Sequence, residues 1–248
     1  MQTIATELRG KMTGRTIETS PKVYARMAGV CYLLGALTSV FGQMIIPGRL
    51  VVSGSAATTA ANILAHESLY RFAVVLAFTT VPFHIGWAIL FYQLFKPVSR
   101  SIPLLAAFVM LLACTMWTLS VLFYLAPLFI LKGTSSLSAF APEQVQTLAL
   151  MLLKLNAQAY DIGLVFFGLW CILIGYLITR STFLPRTIGA LYALAGSGYL
   201  TLVCQPLAHY LYPYNLALAG PGEISLLLWL FVKGVDVERW NEQALLSQ

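Results

Sequence analysis

"IGLVFFGLWCILIGYLIT", residues 162–179, decides the fold. It carries no charge and lies between Asp161 and Arg180. As an α-helix at ~1.5 Å per residue, such a run is about 27 Å long. That nearly matches the ~30 Å hydrocarbon core of a bilayer. A lone strand cannot satisfy its backbone in lipid, so the segment reads as a transmembrane helix.

The rest of the chain repeats this pattern. The 248 residues are 59% hydrophobic and 10% charged, with a mean hydropathy of +0.80. A soluble domain has about 25% charged residues, so this chain lacks the polar surface to face water on all sides. Apolar runs predict spans over about 24–46, 70–95, 104–131, 157–179, 188–210 and 222–238. The expected fold is all-α, a polytopic transmembrane helix bundle of six spans with short outer-side helices. Residues 1–22 read as a cytoplasmic N-terminal tail, 23–240 as one transmembrane domain and 241–248 as a cytoplasmic C-terminal tail. The first span is too long for a signal-peptide core and reads as an anchor.

Basic residues set the expected orientation. With both termini in the cytoplasm, eleven of the fifteen Lys and Arg fall inside, leaving Arg49, Arg71, Lys132 and Lys154 outside. This bias favours an inner, plasma-membrane protein with cytoplasmic termini. The outer connections are long, and two predict helices. "SAATTAANILAHE" opens on the N-cap residue Ser55. "APEQVQTLALMLLKLN" places Pro142 in a first turn and runs on into the fourth span, giving one helix over 143–180.

Several classes of function are excluded or unsupported. The net charge of +6 is spread over span ends, which excludes a nucleic-acid surface. Cys31, Cys114, Cys171 and Cys204 each lie in an apolar run and read as packing thiols without a disulfide. No metal or other cofactor is expected: H-x-x-x-H and H-E-x-x-H spacings are absent, as are G-x-S-x-G, phosphate-loop and dinucleotide motifs. "AGSGYL" reads as small-residue helix packing.

The informative residues are the polar ones within and beside the spans. Counted upward from Arg180, Asp161 lies ~28 Å higher, near the outer boundary, with Lys154 two turns above it. Gln205 and His209 share one helix face near the same level, and Glu67 and Arg71 are spaced to pair. His66 adjoins them. Glu223 is only ~15 Å above Lys233. "YNLALAGPG" is therefore expected to dip into the protein as non-helical backbone, which needs a protein-lined cavity. A carboxylate at that depth costs a few kcal/mol. Relief comes from a helix N-terminus, from a cation or from protonation. His84, a turn after Pro82, is expected to bond the carbonyl that the proline frees.

"YARMAGVCYLLGALTSVFGQ", "AANILAHESLYR", "FLPRTIGAL" and "EISLLLWLFVKGV" together resemble a bacterial family of six-span membrane proteins known as a domain of unknown function. The likeness covers roughly residues 24–235. It implies a bacterial inner-membrane protein and no activity. One position departs: "NAQAYDIGL" has no histidine before Gly163, where the resemblance implies one.

Together these readings predict a polar pocket open to the outer side, walled by Glu67, Arg71, Asp161, His209 and Glu223, with His66 and Gln205 nearby. Arg71 is its expected anion holder. The expected partner is a membrane lipid or amphiphilic small molecule; homo-oligomer formation is left open. The alternatives are a membrane-embedded acid catalyst such as an isoprenoid cyclase or isomerase, a transporter, and a structural membrane partner.

Overall fold

The computed structural model describes residues 20–133 and 139–246, with the side chain of Gln205 excepted. Among these residues the chain is helical, with no strand. Helix α1 (Pro21–Ser39) passes through a π turn (Val40–Ile45) into α2 (Ile46–Leu50). Then follow α3 (Ala56–Ala65), α4 (Glu67–Phe95), α5 (Ser101–Leu131) and α6 (Pro142–Arg180). The last part comprises α7 (Arg186–Leu200), α8 (Gln205–Leu211), α9 (Tyr214–Ala217), α10 (Ala219–Val232) and α11 (Val237–Leu246). Residues 1–19 of the expected N-terminal tail lie outside the described residues, and residues 241–246 of the expected C-terminal tail belong to α11.

Local chemistry accounts for several of the boundaries. Ser55 caps α3, its hydroxyl accepting from the Thr58 amide at 3.3 Å. Pro142 occupies the first turn of α6, where its missing N–H costs nothing. Gln144 reaches back and accepts from the Ala141 amide at 3.0 Å. The π turn lies just before Pro47, whose ring would crowd the Gln43 carbonyl in a regular helix. The Ile46 amide instead bonds the Phe41 carbonyl, five residues back.

Six helices close into a ring in the order α1, α4, α5, α6, α7, α10 and back to α1. The centre is aromatic. Tyr32 stacks on Trp87 at 4.1 Å, and Trp87 meets Trp170 edge-on at 5.5 Å. Both tryptophans are fully buried. A second cluster, including Ile63, Tyr70, Tyr124 and Leu153, lies beneath α3. There the Tyr70 hydroxyl donates to the Tyr124 carbonyl. At the far end Trp240 of α11 donates to the Leu94 carbonyl at 2.8 Å, satisfying an orphan acceptor at the end of α4.

The outer wall is apolar. Phe72, Val75 and Phe78 on α4 and Phe108, Leu112 and Leu122 on α5 are exposed. A patch of that extent suits lipid rather than water. Among the described residues five helical stretches are long and apolar enough to cross a membrane: Pro21–Leu50, Glu67–Phe95, Ser101–Leu131, Pro142–Arg180 and Tyr214–Val232. The chain is thus an all-α polytopic membrane bundle.

Two segments differ from the sequence reading. The span expected over 188–210 is helical only to Leu200 in α7, 15 residues long. A 3-10 turn (Thr201–Val203) and an extended Cys204 then precede α8. Pro206 has no N–H to continue the helix, so a new one starts around it. "YNLALAGPG", expected to be non-helical, forms α9 and the start of α10. Pro221 sits in the first turn of α10, which tolerates it. Glu223 therefore lies in the second turn and is not a helix-start residue.

Candidate functional site

α7 and α10 contain 15 and 14 residues, or about 22 and 21 Å of helix. The other ring members run from 29 to 39 residues, counting Pro21–Leu50 as one. Toward the α3 end the chain continues from α7 as the 3-10 turn and enters α10 through α9, so this side of the ring is built there from short pieces. A cavity of about 470 Å³ lies there, lined by side chains from all six ring helices and from α9. Val40 and Met44 of the π turn, Ala157 of α6 and Leu216 of α9 form an apolar rim, the first three exposed.

The interior is polar and aromatic. Glu223 accepts a hydrogen bond from the Tyr199 hydroxyl at 2.5 Å. The Tyr32 hydroxyl faces the same carboxyl without forming a hydrogen bond of standard geometry. Asp161 is half-buried in the α6 wall, next in sequence to Tyr160. The Tyr160 hydroxyl shares a 2.8 Å hydrogen bond with Ser39, bridging α6 and α1 across the cavity.

Above this bridge three polar side chains close a triangle. Gln43 Nε2 donates to Ser120 Oγ at 3.3 Å, Ser120 donates to Asn156 Oδ1 at 2.7 Å, and Asn156 Nδ2 returns to Gln43 Oε1 at 3.4 Å. The π turn, α5 and α6 are locked together by these bonds. π turns recur at functional sites, and this one supplies Val40, Gln43 and Met44 to the cavity.

His84 is buried at the cavity floor. Its Nδ1 lies 2.9 Å from the Thr80 carbonyl, so the ring donates from Nδ1. The expectation that it bonds the carbonyl freed by Pro82 fails: that carbonyl belongs to Phe78, four residues before the proline. Trp117 packs edge-on against His84 at 4.9 Å. Close approaches make room for both rings. A Cβ on Gly35 would come within 2.8 Å of His84, and one on Gly163 would collide with the Trp117 indole nitrogen.

The sequence candidates separate into three groups. Asp161 and Glu223 converge on the cavity. Glu67, Arg71 and His66 do not. Glu67 pairs with Arg71 at 2.8 Å, as its spacing predicts, and with Lys132 at 3.0 Å, joining the start of α4 to the end of α5 at the surface. Arg71 therefore faces Glu67 and not the cavity. His66 caps α3, exposed, with Nδ1 3.2 Å from the Asn62 carbonyl. His209 is exposed on α8, away from the cavity wall, and Gln205 opens that helix with its side chain outside the described residues. Lys154, two turns from Asp161 along α6, is exposed and forms no ion pair with it.

Gln43, Ser120, Tyr160 and Tyr199 were missed by the sequence reading. The available signal was a polar side chain at mid-depth in an apolar run, as in "FGQM" and "TLSVL". Among the described residues no three His, Cys, Asp or Glu gather to hold a metal ion, and the four cysteines are free thiols.

Fold and lipid-facing surface together define a polytopic α-helical membrane protein. A profile of the family described as a domain of unknown function, DUF4386, matches residues 27–234, across every helix of the ring. The chain belongs to that family. It is also 24% identical to an uncharacterised protein from Archaeoglobus fulgidus over 165 residues, 66% of this chain and 84% of the relative. No solved structure matches the chain.

Proposed function

We propose that this protein binds a small amphiphilic, lipid-like molecule in the cavity between α1, α6 and α10. One observation carries the reading: a polar interior opens through an apolar rim on a lipid-facing bundle. Its volume falls in the range of about 300–1,000 Å³ typical of small-molecule sites. An amphiphile would place its head among Asp161, Glu223 and Tyr160 and leave its tail along Val40, Met44 and Leu216. The excess of basic residues at the α11 end supports cytoplasmic termini, so the cavity would lie in the outer half of a plasma or inner membrane.

The test is native mass spectrometry of gently purified protein, wild type beside Ala157→Trp. Ala157 is exposed on the rim, so the indole fills the mouth and leaves the interior unchanged. A defined bound mass in the wild type, lost in the variant, is expected. Identical spectra would overturn the reading. A second reading, a membrane-embedded acid catalyst, draws on the Tyr199–Glu223 pair facing an aromatic wall. It predicts that a bound mass accumulates unconverted in Glu223→Gln.

A further inference from the structure

The cavity is acidic on two sides and holds no Lys or Arg among its lining residues. Among the described residues the ion pairs join Glu67 to Arg71 and Lys132, and Asp236 to Arg239. Neither Asp161 nor Glu223 takes part in one. Carboxylates withdrawn from water usually have a countercharge, and the basic side chains nearest in sequence do not supply it.

The surrounding walls add a second, independent signal. Tyr32 and Trp117 are 3% and 4% exposed, and both rings line the cavity. The aromatic lining is continuous. Trp117 lies 6.1 Å from Tyr160 and 5.9 Å from Phe167, and Phe167 meets Tyr199 edge-on at 5.5 Å. Aromatic faces attract cations, organic ammonium groups above all. In its neutral form, with Nδ1 committed to Thr80, the His84 ring offers only an acceptor at Nε2.

We propose that the molecule bound here is a cationic amphiphile, an alkylamine or alkylammonium, with its positive head between Asp161 and Glu223 against the wall of Tyr32, Trp117, Tyr160 and Phe167. This rests on the reading of the cavity as an amphiphile site and adds the sign of the head group. It also reverses the anion-holding site expected around Arg71. The apolar rim of Val40, Met44 and Leu216 takes the alkyl chain.

The test uses the full chain in nanodiscs of zwitterionic lipid, titrated with decyltrimethylammonium, decanol and decanoate while tryptophan fluorescence is followed. The ammonium probe is expected to saturate at a concentration about tenfold below decanol, the scale of one desolvated cation–π contact, with decanoate weakest. Glu223→Gln keeps an acceptor for Tyr199 and, like Asp161→Asn, is expected to shrink the ammonium preference several-fold. Ala157→Trp is expected to abolish saturation by all three. Equal affinity for the three probes would overturn the cationic assignment while leaving the amphiphile site standing. An ammonium preference that survives in both carboxyl variants, each eluting as a single folded species, would also overturn it. If no probe saturates, or if Ala157→Trp changes nothing, the amphiphile reading falls too.

Discussion

At the scale of single residues, the Tyr199–Glu223 hydrogen bond is the contact whose removal should be felt most. Tyr199→Phe deletes the donor and leaves the carboxyl facing the cavity. The expected cost is about 1–3 kcal/mol, the range for orphaning a buried polar group. Unfolding in mild detergent measures it. Tyr124→Phe is the control: its buried hydroxyl has no partner, so its loss should be close to neutral. Legibility at this scale divides along a geometric line. Counting residues along a helix gives height, and Asp161 and Glu223 were placed by height. It does not say which way a helix is turned. Glu67, Arg71 and His209 share the right end of the bundle with the cavity, yet their helices present them to the surface. Gln43 and Ser120 are uncharged, and each resembled a tolerated polar residue until the fold brought them together with Asn156.

At the scale of elements, the α6–α7 crossing depends on glycine. A Cβ on Gly189 would lie 2.7 Å from the Gly175 carbonyl oxygen and 2.9 Å from the Thr179 amide. Small residues at such crossings let helix backbones approach closely. Gly189→Ala must therefore push the pair apart, at about 1–3 kcal/mol for an overpacked site. Gly48→Ala meets nothing within 4 Å in the helical turn of α2 and should be neutral or slightly stabilising, by up to about 1 kcal/mol. Thermal unfolding of the two variants side by side distinguishes the outcomes. The long α6 and the capped α3 were legible because Pro142 and Ser55 are strong local signals. The end of α7 was not. Hydropathy remains high through "TLVCQPLAHYL", and the break at Pro206 was overridden by the length of the apolar run.

At the scale of the whole molecule, the ring order follows the chain from α4 to α7, and adjacent spans joined by short turns are the default in a bundle. Closure through α1 against both α4 and α10 leaves no mark on the sequence, since those contacts pair residues far apart along it. Topology is open to direct test. In a Cys204→Ser background, Ser99→Cys and Gly133→Cys lie at opposite ends of α5. A membrane-impermeant thiol reagent applied to intact cells should label position 133 and leave position 99 untouched. Labelling of 99 alone would invert the orientation.

The length of α6 also has a consequence outside the hydrocarbon. Its 39 residues make a rod of about 58 Å, roughly twice the ~30 Å thickness of the apolar core of a bilayer. The charged side chains of Glu143 and Lys154 belong to its first half, so that half is the part suited to headgroups and water. There α6 packs on α3, and the pair forms a ridge standing proud of the membrane plane, a fixed landmark on one face of an otherwise lipid-immersed protein.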